Sequence, residues 1–109
     1  ISVRVVNMHT IKPIDRDAIR AAAQETRRII TVEDHTVLGG LGGAVAEVIA
    51  EGGKACAFRR LGLQDRFSPI GLHEDLMSYH GFDTAGIMAS VREVMKLDFE
   101  DTDDWDDEF

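Results

Sequence analysis

The sequence predicts an α/β domain with a parallel sheet and helices on its faces. Two observations carry that expectation. Strand-like and helix-like segments alternate in the order β-α-β-α-β-α-α, and parallel strands need such crossover connections. At the centre, a β-branched run, Ile29-Ile30-Thr31-Val32, passes through Glu33-Asp34-His35 into Gly39-Gly40-Leu41-Gly42-Gly43, and then into apolar residues at helical spacing.

Ile1 to Met8 sets Val3, Val5 and Val6 against Ser2, Arg4 and Asn7, a loose strand pattern, and Pro13 ends any pairing there. Asp15 is placed to cap a helix, with Asp17 in its first turn and Ile19, Ala22, Ala23 and Thr26 along one face. The central strand follows. Glu33, Asp34 and His35 are expected to close it as a polar turn, and the next helix carries Leu41, Ala44, Val45, Val48 and Ile49 up to a stop at Gly52-Gly53. Ala55 to Leu63 reads as a third strand with Ala57, Phe58 and Leu61 inward and Cys56 as a small buried residue. A loop around Phe67-Ser68-Pro69 leads to a short helix bearing Leu72, Leu76 and Tyr79, which Gly81 stops. Asp83 or Thr84 caps a last helix with Ile87, Met88, Val91, Val94 and Met95 facing in.

At 109 residues the chain suffices for one small domain. The net charge of −8 is unevenly placed. Of twenty acidic residues, eight fall between Asp98 and Phe109, with no basic residue among them, so the remaining twelve balance the twelve Lys and Arg of the body. The division is a folded body over 1–97 and an acidic, disordered tail over 98–109. A neutral body and an acidic tail argue against nucleic acid, which selects a basic patch. No apolar run approaches the ~20 residues that span a bilayer, and no secretory leader is visible. A lone cysteine offers no disulfide framework, so a reducing, cytoplasmic setting is expected.

Motifs with chemistry are sparse. A dinucleotide-binding G-x-G-x-x-G starting at Gly40 would need its third glycine where Val45 stands, and two carboxylates lie where a phosphate would approach. His73-Glu74-Asp75-Leu76-Met77 starts like a zinc-protease helix but has Met77 in place of the second histidine. His73 and His80, two turns apart, read as surface histidines, since no third ligand accompanies them. Glu33, Asp34 and His35 bring carboxylates beside an imidazole, a pattern capable of acid–base work, but no nucleophile, phosphate loop or metal set accompanies them. The expected role of Glu33, Asp34, His35, Gly39, Gly40 and Gly42 is a glycine-rich turn that contacts a neighbouring domain or partner.

Four segments in order carry a family resemblance. Thr31-Val32-Glu33-Asp34-His35 with Gly39-Gly40-Leu41-Gly42 and Ala44-Val45 resembles the V-E-D-H…GG-[IL]-G-x-A-V segment of transketolase C-terminal domains. Ile1 to Pro13 resembles the strand and turn before it, Phe58 to Leu63 the strand after it, and Gly81 to Ile87 the joint between the last two helices. Deoxyxylulose-phosphate synthases and 2-oxo-acid dehydrogenase β subunits share this domain; Glu-Asp-His leans toward transketolase.

The resemblance implies a three-layer α/β/α fold with a mostly parallel sheet. It also implies that one strand and helix of the family pattern lie before Ile1, in keeping with a thin sheet and an opening without Met; the chain is therefore expected to be a piece of a longer polypeptide. The parent would be a homodimeric transferase moving two-carbon ketol units between sugar phosphates with thiamine diphosphate and Mg²⁺, in the pentose phosphate pathway. The family's cofactor motifs belong to other domains, so no catalytic, cofactor or metal residue is assigned to this chain. Its partners would be the remaining transketolase domains or a separate thiamine-diphosphate-binding subunit. The alternatives are the partner-binding domain of a 2-oxo-acid dehydrogenase β subunit, which would bind a lipoyl-bearing core, and the corresponding domain of a deoxyxylulose-phosphate synthase.

Overall fold

A computed structural model describes residues 1–97. The elements are α1 (Arg16–Thr26), β1 (Arg28–Thr36), α2 (Leu41–Glu51), β2 (Ala57–Leu63), α3 (His73–His80) and α4 (Thr84–Met95). β1 and β2 pair in parallel, from Arg28 opposite Ala57 to Val32 opposite Leu61. α2 is the crossover between them. The acidic tail expected over 98–109 lies outside the described residues.

Alternation along the strands separates the two helical layers. Ile29 and Phe58 stand opposite each other and pack with Ile19 of α1 and Val45 and Val48 of α2 into the main core cluster. Met8, Ile14, Leu41 and Ile49 close around it. On the other face Arg59 pairs with Glu93 of α4 at 3.6 Å. Arg28 reaches the end of α4, donating from Nε to the Val94 carbonyl at 2.9 Å and from Nη2 to the Leu97 carbonyl at 2.8 Å. The Val94 carbonyl also accepts from the Leu97 amide at 3.3 Å, so the arginine adds a second donor there, and a guanidinium complements the negative end of the helix dipole. Two arginines, Arg28 and Arg59, thus tie α4 to the sheet.

The helix boundaries follow local chemistry. Asp15 caps α1, its Oδ1 accepting from the Ala18 amide at 3.0 Å, and Asp83 caps α4 in the same way through Gly86 at 2.9 Å. Gly81 ends α3 in the left-handed region at φ 79°, where a residue with a Cβ is strained.

The structure corrects several expectations. Residues 1–10 form no strand within the described residues; Val3 and Val5 are 65% and 89% exposed. A strand needs a backbone ladder as well as an alternating pattern, and this segment pairs with neither β1 nor β2. It is held instead by Met8 against the core and by an ion pair between Arg4 and Glu25. The sheet therefore has two strands, not three. Cys56 precedes β2 and is half-buried. Leu72 and Tyr79 are exposed, so α3 contributes Leu76, Met77 and the buried His80 instead. In α4 the inward face runs through Ile87, Ser90, Val91 and Val94, leaving Met88 and Met95 exposed.

Candidate functional site

Glu33, Asp34 and His35 do not form a turn. They continue β1, and the turn falls at 37–40. The ladder slips here: Val32 faces Leu61, and the next pair is Thr36 with Leu63. Three residues of β1 thus stand opposite one residue of β2, Gly62. An ideal Cβ on Gly62 would lie 2.7 Å from the His35 carbonyl oxygen and 2.9 Å from that of Glu33. The bulge can close over β2 only because this residue has no side chain.

The bulge turns the Glu33 carboxylate toward α2. Its Oε2 accepts from the Leu41 amide at 2.6 Å and its Oε1 from the Gly42 amide at 3.0 Å. The residue at the N-cap position, Gly40, offers no side chain, so Glu33 caps the helix from the neighbouring strand. Its negative charge meets the positive end of the helix dipole. Two glycines make room for this contact. A Cβ on Gly40 would sit 2.3 Å from Glu33 Oε2 and 2.7 Å from His35 Nδ1. One on Gly42 would sit 2.8 Å from Arg60 Cγ and 3.0 Å from Thr31 Oγ1, so α2 approaches the sheet more closely than an alanine would allow. Arg60 completes the arrangement by donating to the Val37 carbonyl at 2.9 Å.

The structure therefore brings Glu33, Gly40 and Gly42 together as one capped strand–helix junction. Asp34 and His35 are exposed. His35 Nδ1 donates to the Thr36 carbonyl at 2.7 Å, and Gly39 sits in the open at φ 71°. Asp34 points the other way, into a cleft of about 390 Å³ at the carboxyl end of the strands, shared with Leu63, Ser68, His73, Met77 and Phe82. Gly62 and Arg60 were not singled out from the sequence. A signal for Gly62 existed, since a lone glycine inside a strand pattern marks a bulge or a close approach; nothing in the local sequence pointed to Arg60.

This junction does not fit thiamine diphosphate. The amides that a diphosphate would use at the α2 N-terminus already hold a carboxylate, and that carboxylate would repel a second anion. Among the described residues no group of three or more His, Cys, Asp or Glu could hold a metal ion. Nor is any helix among them long and apolar enough to cross a membrane. Burial pushes the Cys56 thiol above its ordinary value, while the charge of Arg27 and a hydrogen bond with the Ile29 backbone act in the opposite direction. Alkylation of Cys56 by iodoacetamide at neutral pH is accordingly expected to run several-fold slower than that of glutathione; an equal or faster rate, followed by mass spectrometry, contradicts this.

Comparison with known proteins places the geometry in a lineage. The model of the family "Transketolase, C-terminal domain" matches residues 1–87. A chain described as a transketolase C-terminal section from Methanocaldococcus jannaschii is 44% identical over 96 residues, covering 88% of this chain and 29% of its own length. One subunit of the apulose-4-phosphate transketolase of Phocaeicola vulgatus is 41% identical over 96 residues, with 88% and 30% covered. A 1-deoxy-D-xylulose-5-phosphate synthase of Syntrophotalea carbinolica is 41% identical over 98 residues, with 90% and 16% covered. Among solved structures, a split-gene transketolase in an inactive β4 tetramer matches with a TM-score of 0.81 at 35% identity, over 89% of this chain and 31% of that one. The chain spans less than a third of the length of these relatives.

Proposed function

This chain belongs to the transketolase C-terminal domain family, and from that premise we propose that it is the non-catalytic accessory domain of a transketolase. In this reading the parent enzyme moves two-carbon ketol units between sugar phosphates with thiamine diphosphate and Mg²⁺ held by other domains or by a separate subunit. The chain supplies interdomain and dimer contacts, and the enzyme works as a cytoplasmic homo-oligomer. The observation that carries the proposal is the use of Glu33. The carboxylate best placed for chemistry is committed to two backbone amides, which is a structural task. Asp34, His35 and Gly39 remain on the surface beside it, available to a neighbour. Exposed Val3, Val5 and Val6, next to a sheet of two strands, supply apolar surface for the same purpose. Relatives described as a section and as a subunit of transketolases favour a chain that works with a partner polypeptide.

The test is reconstitution. With thiamine diphosphate and Mg²⁺ but no other protein, the chain is expected to transfer no ketol unit between sugar phosphates. With the polypeptide that carries the cofactor domains it should sediment as a larger assembly. Transfer by the chain alone, or no association at any concentration, overturns the proposal. A second reading, the C-terminal domain of a deoxyxylulose-phosphate synthase, rests on the 41% identity to such an enzyme. The reconstituted assembly separates the two by whether it makes 1-deoxy-D-xylulose 5-phosphate or exchanges ketol units.

A further inference from the structure

We infer that His80 is a pH-sensitive latch on the 64–70 loop, the segment that presents Phe67 and Ile70 to solvent. These two side chains are fully exposed, at 102% and 105%, so the loop is not held by burial of its own large apolar residues. One buried imidazole bonds it at two points, Gln64 and Ser68. His80 ends α3 and is only 5% exposed.

The hydrogen bonds fix the state of the ring. The Gln64 amide lies 3.3 Å from His80 Nδ1 and can only donate, so Nδ1 is the unprotonated acceptor. The neutral ring then carries its proton on Nε2, which donates to Ser68 Oγ at 3.0 Å. The Ser68 hydroxyl in turn donates to the Pro69 carbonyl at 3.2 Å. All three hydrogens run one way, from the start of the loop, through the ring, into its middle. A second proton on the ring would have to go to Nδ1, where it would face the Gln64 N–H. Donor would meet donor, and the bond that holds the start of the loop would be lost.

Two aromatic rings flank the imidazole. Tyr79 stands edge-on with ring centroids 4.9 Å apart, and the Phe82 ring is 6.5 Å away. The Arg66 guanidinium lies 4.7 Å over the Tyr79 ring, which puts a positive charge on this side. Asp34 and His73 line the cleft that Ser68 and Phe82 also line. No carboxylate stands within ion-pair distance of His80 among the described residues. The closed latch therefore requires the neutral imidazole, and acidification opens it. The inference goes beyond the accessory role proposed above and does not depend on it.

Nitrogen-15 NMR and amide hydrogen exchange on the full chain test this. At about pH 8 His80 is expected in the Nε2–H tautomer. As the pH is lowered stepwise until the ring takes up its second proton, followed by the ring nitrogen-15 shifts, the protection of the Gln64 amide, corrected for intrinsic exchange, should fall about tenfold, the size expected for loss of one hydrogen bond. The amides of the β1–β2 ladder should keep theirs. His80→Asn retains an acceptor and cannot titrate, so its loop should lose the pH dependence. Ser68→Ala should loosen the loop at both pH values and leave the pH dependence in place. The inference is overturned by an Nδ1–H tautomer, by Gln64 protection that does not change with pH, or by His80→Asn keeping the wild-type dependence. Tautomer and protection are read on the wild-type chain, so the decision stands even if the asparagine variant does not fold.

Discussion

Gly62→Ala is expected to destabilise the folded chain by about 2–3 kcal/mol, the range for forcing an atom into a packed site. The new methyl would press on two carbonyl oxygens of β1, at 2.7 Å and 2.9 Å. Backbone atoms in a ladder cannot swing aside as the end of a side chain can. The bulge would have to flatten, and flattening it withdraws Glu33 from the helix it caps. Urea unfolding gives the measurement: the midpoint should drop while the slope is kept. Gly43→Ala is the control. A Cβ there meets nothing within 4 Å, and the residue lies inside α2, where alanine is favoured over glycine by about 1 kcal/mol. If Gly62→Ala were as stable as Gly43→Ala, the slip of the ladder would be misplaced.

Glu33→Ala is expected to cost about 2 kcal/mol. It removes a charged acceptor from two amides and a negative charge from the positive end of α2, and each effect falls within the usual range for caps and charge-assisted hydrogen bonds. Glu33→Gln keeps one carbonyl acceptor and should lose about half as much. Hydrogen exchange localises the effect, since the Leu41 and Gly42 amides should lose protection first. Asp34→Ala is the contrasting case. Its carboxylate is exposed and makes none of the hydrogen bonds that hold the junction, so stability should stay within about 0.5 kcal/mol. If Asp34 and His35 meet a neighbouring domain, Asp34→Ala will weaken assembly while leaving the unfolding midpoint where it is. The pair of variants thus separates a residue that builds the junction from one that is offered to a partner.

Much of the architecture was legible because local rules and the fold agree. Asp15 and Asp83 announce their helices by the chemistry of a short acceptor side chain, and Gly81 ends one by its conformational freedom. The β-branched run, the glycines after it and the helical spacing beyond them specify a strand, a tight passage and a helix. Quoted in order with the flanking segments, the same residues gave a family resemblance, and the match over residues 1–87 supports it. The candidate junction was located, but its geometry was not. A polar triplet after an apolar run reads as a turn, because nothing local indicates that the chain will remain in the ladder.

Sequence by itself determined the α/β class, the capping of α1 and α4 and the family. Tertiary structure alone decided what Glu33 does, why Gly62 must lack a side chain and that His80 is buried between loop bonds. The physical reason is distance along the chain. A cap or a glycine stop acts over three or four residues, within reach of a pattern. Glu33 meets Leu41 and Gly42 only after the chain has turned back, Gly62 meets the β1 carbonyls through a parallel pairing made by way of α2, and His80 meets Gln64 across an entire loop. Such contacts depend on how the strands register, and registration is settled by packing of the whole core, not by any one segment.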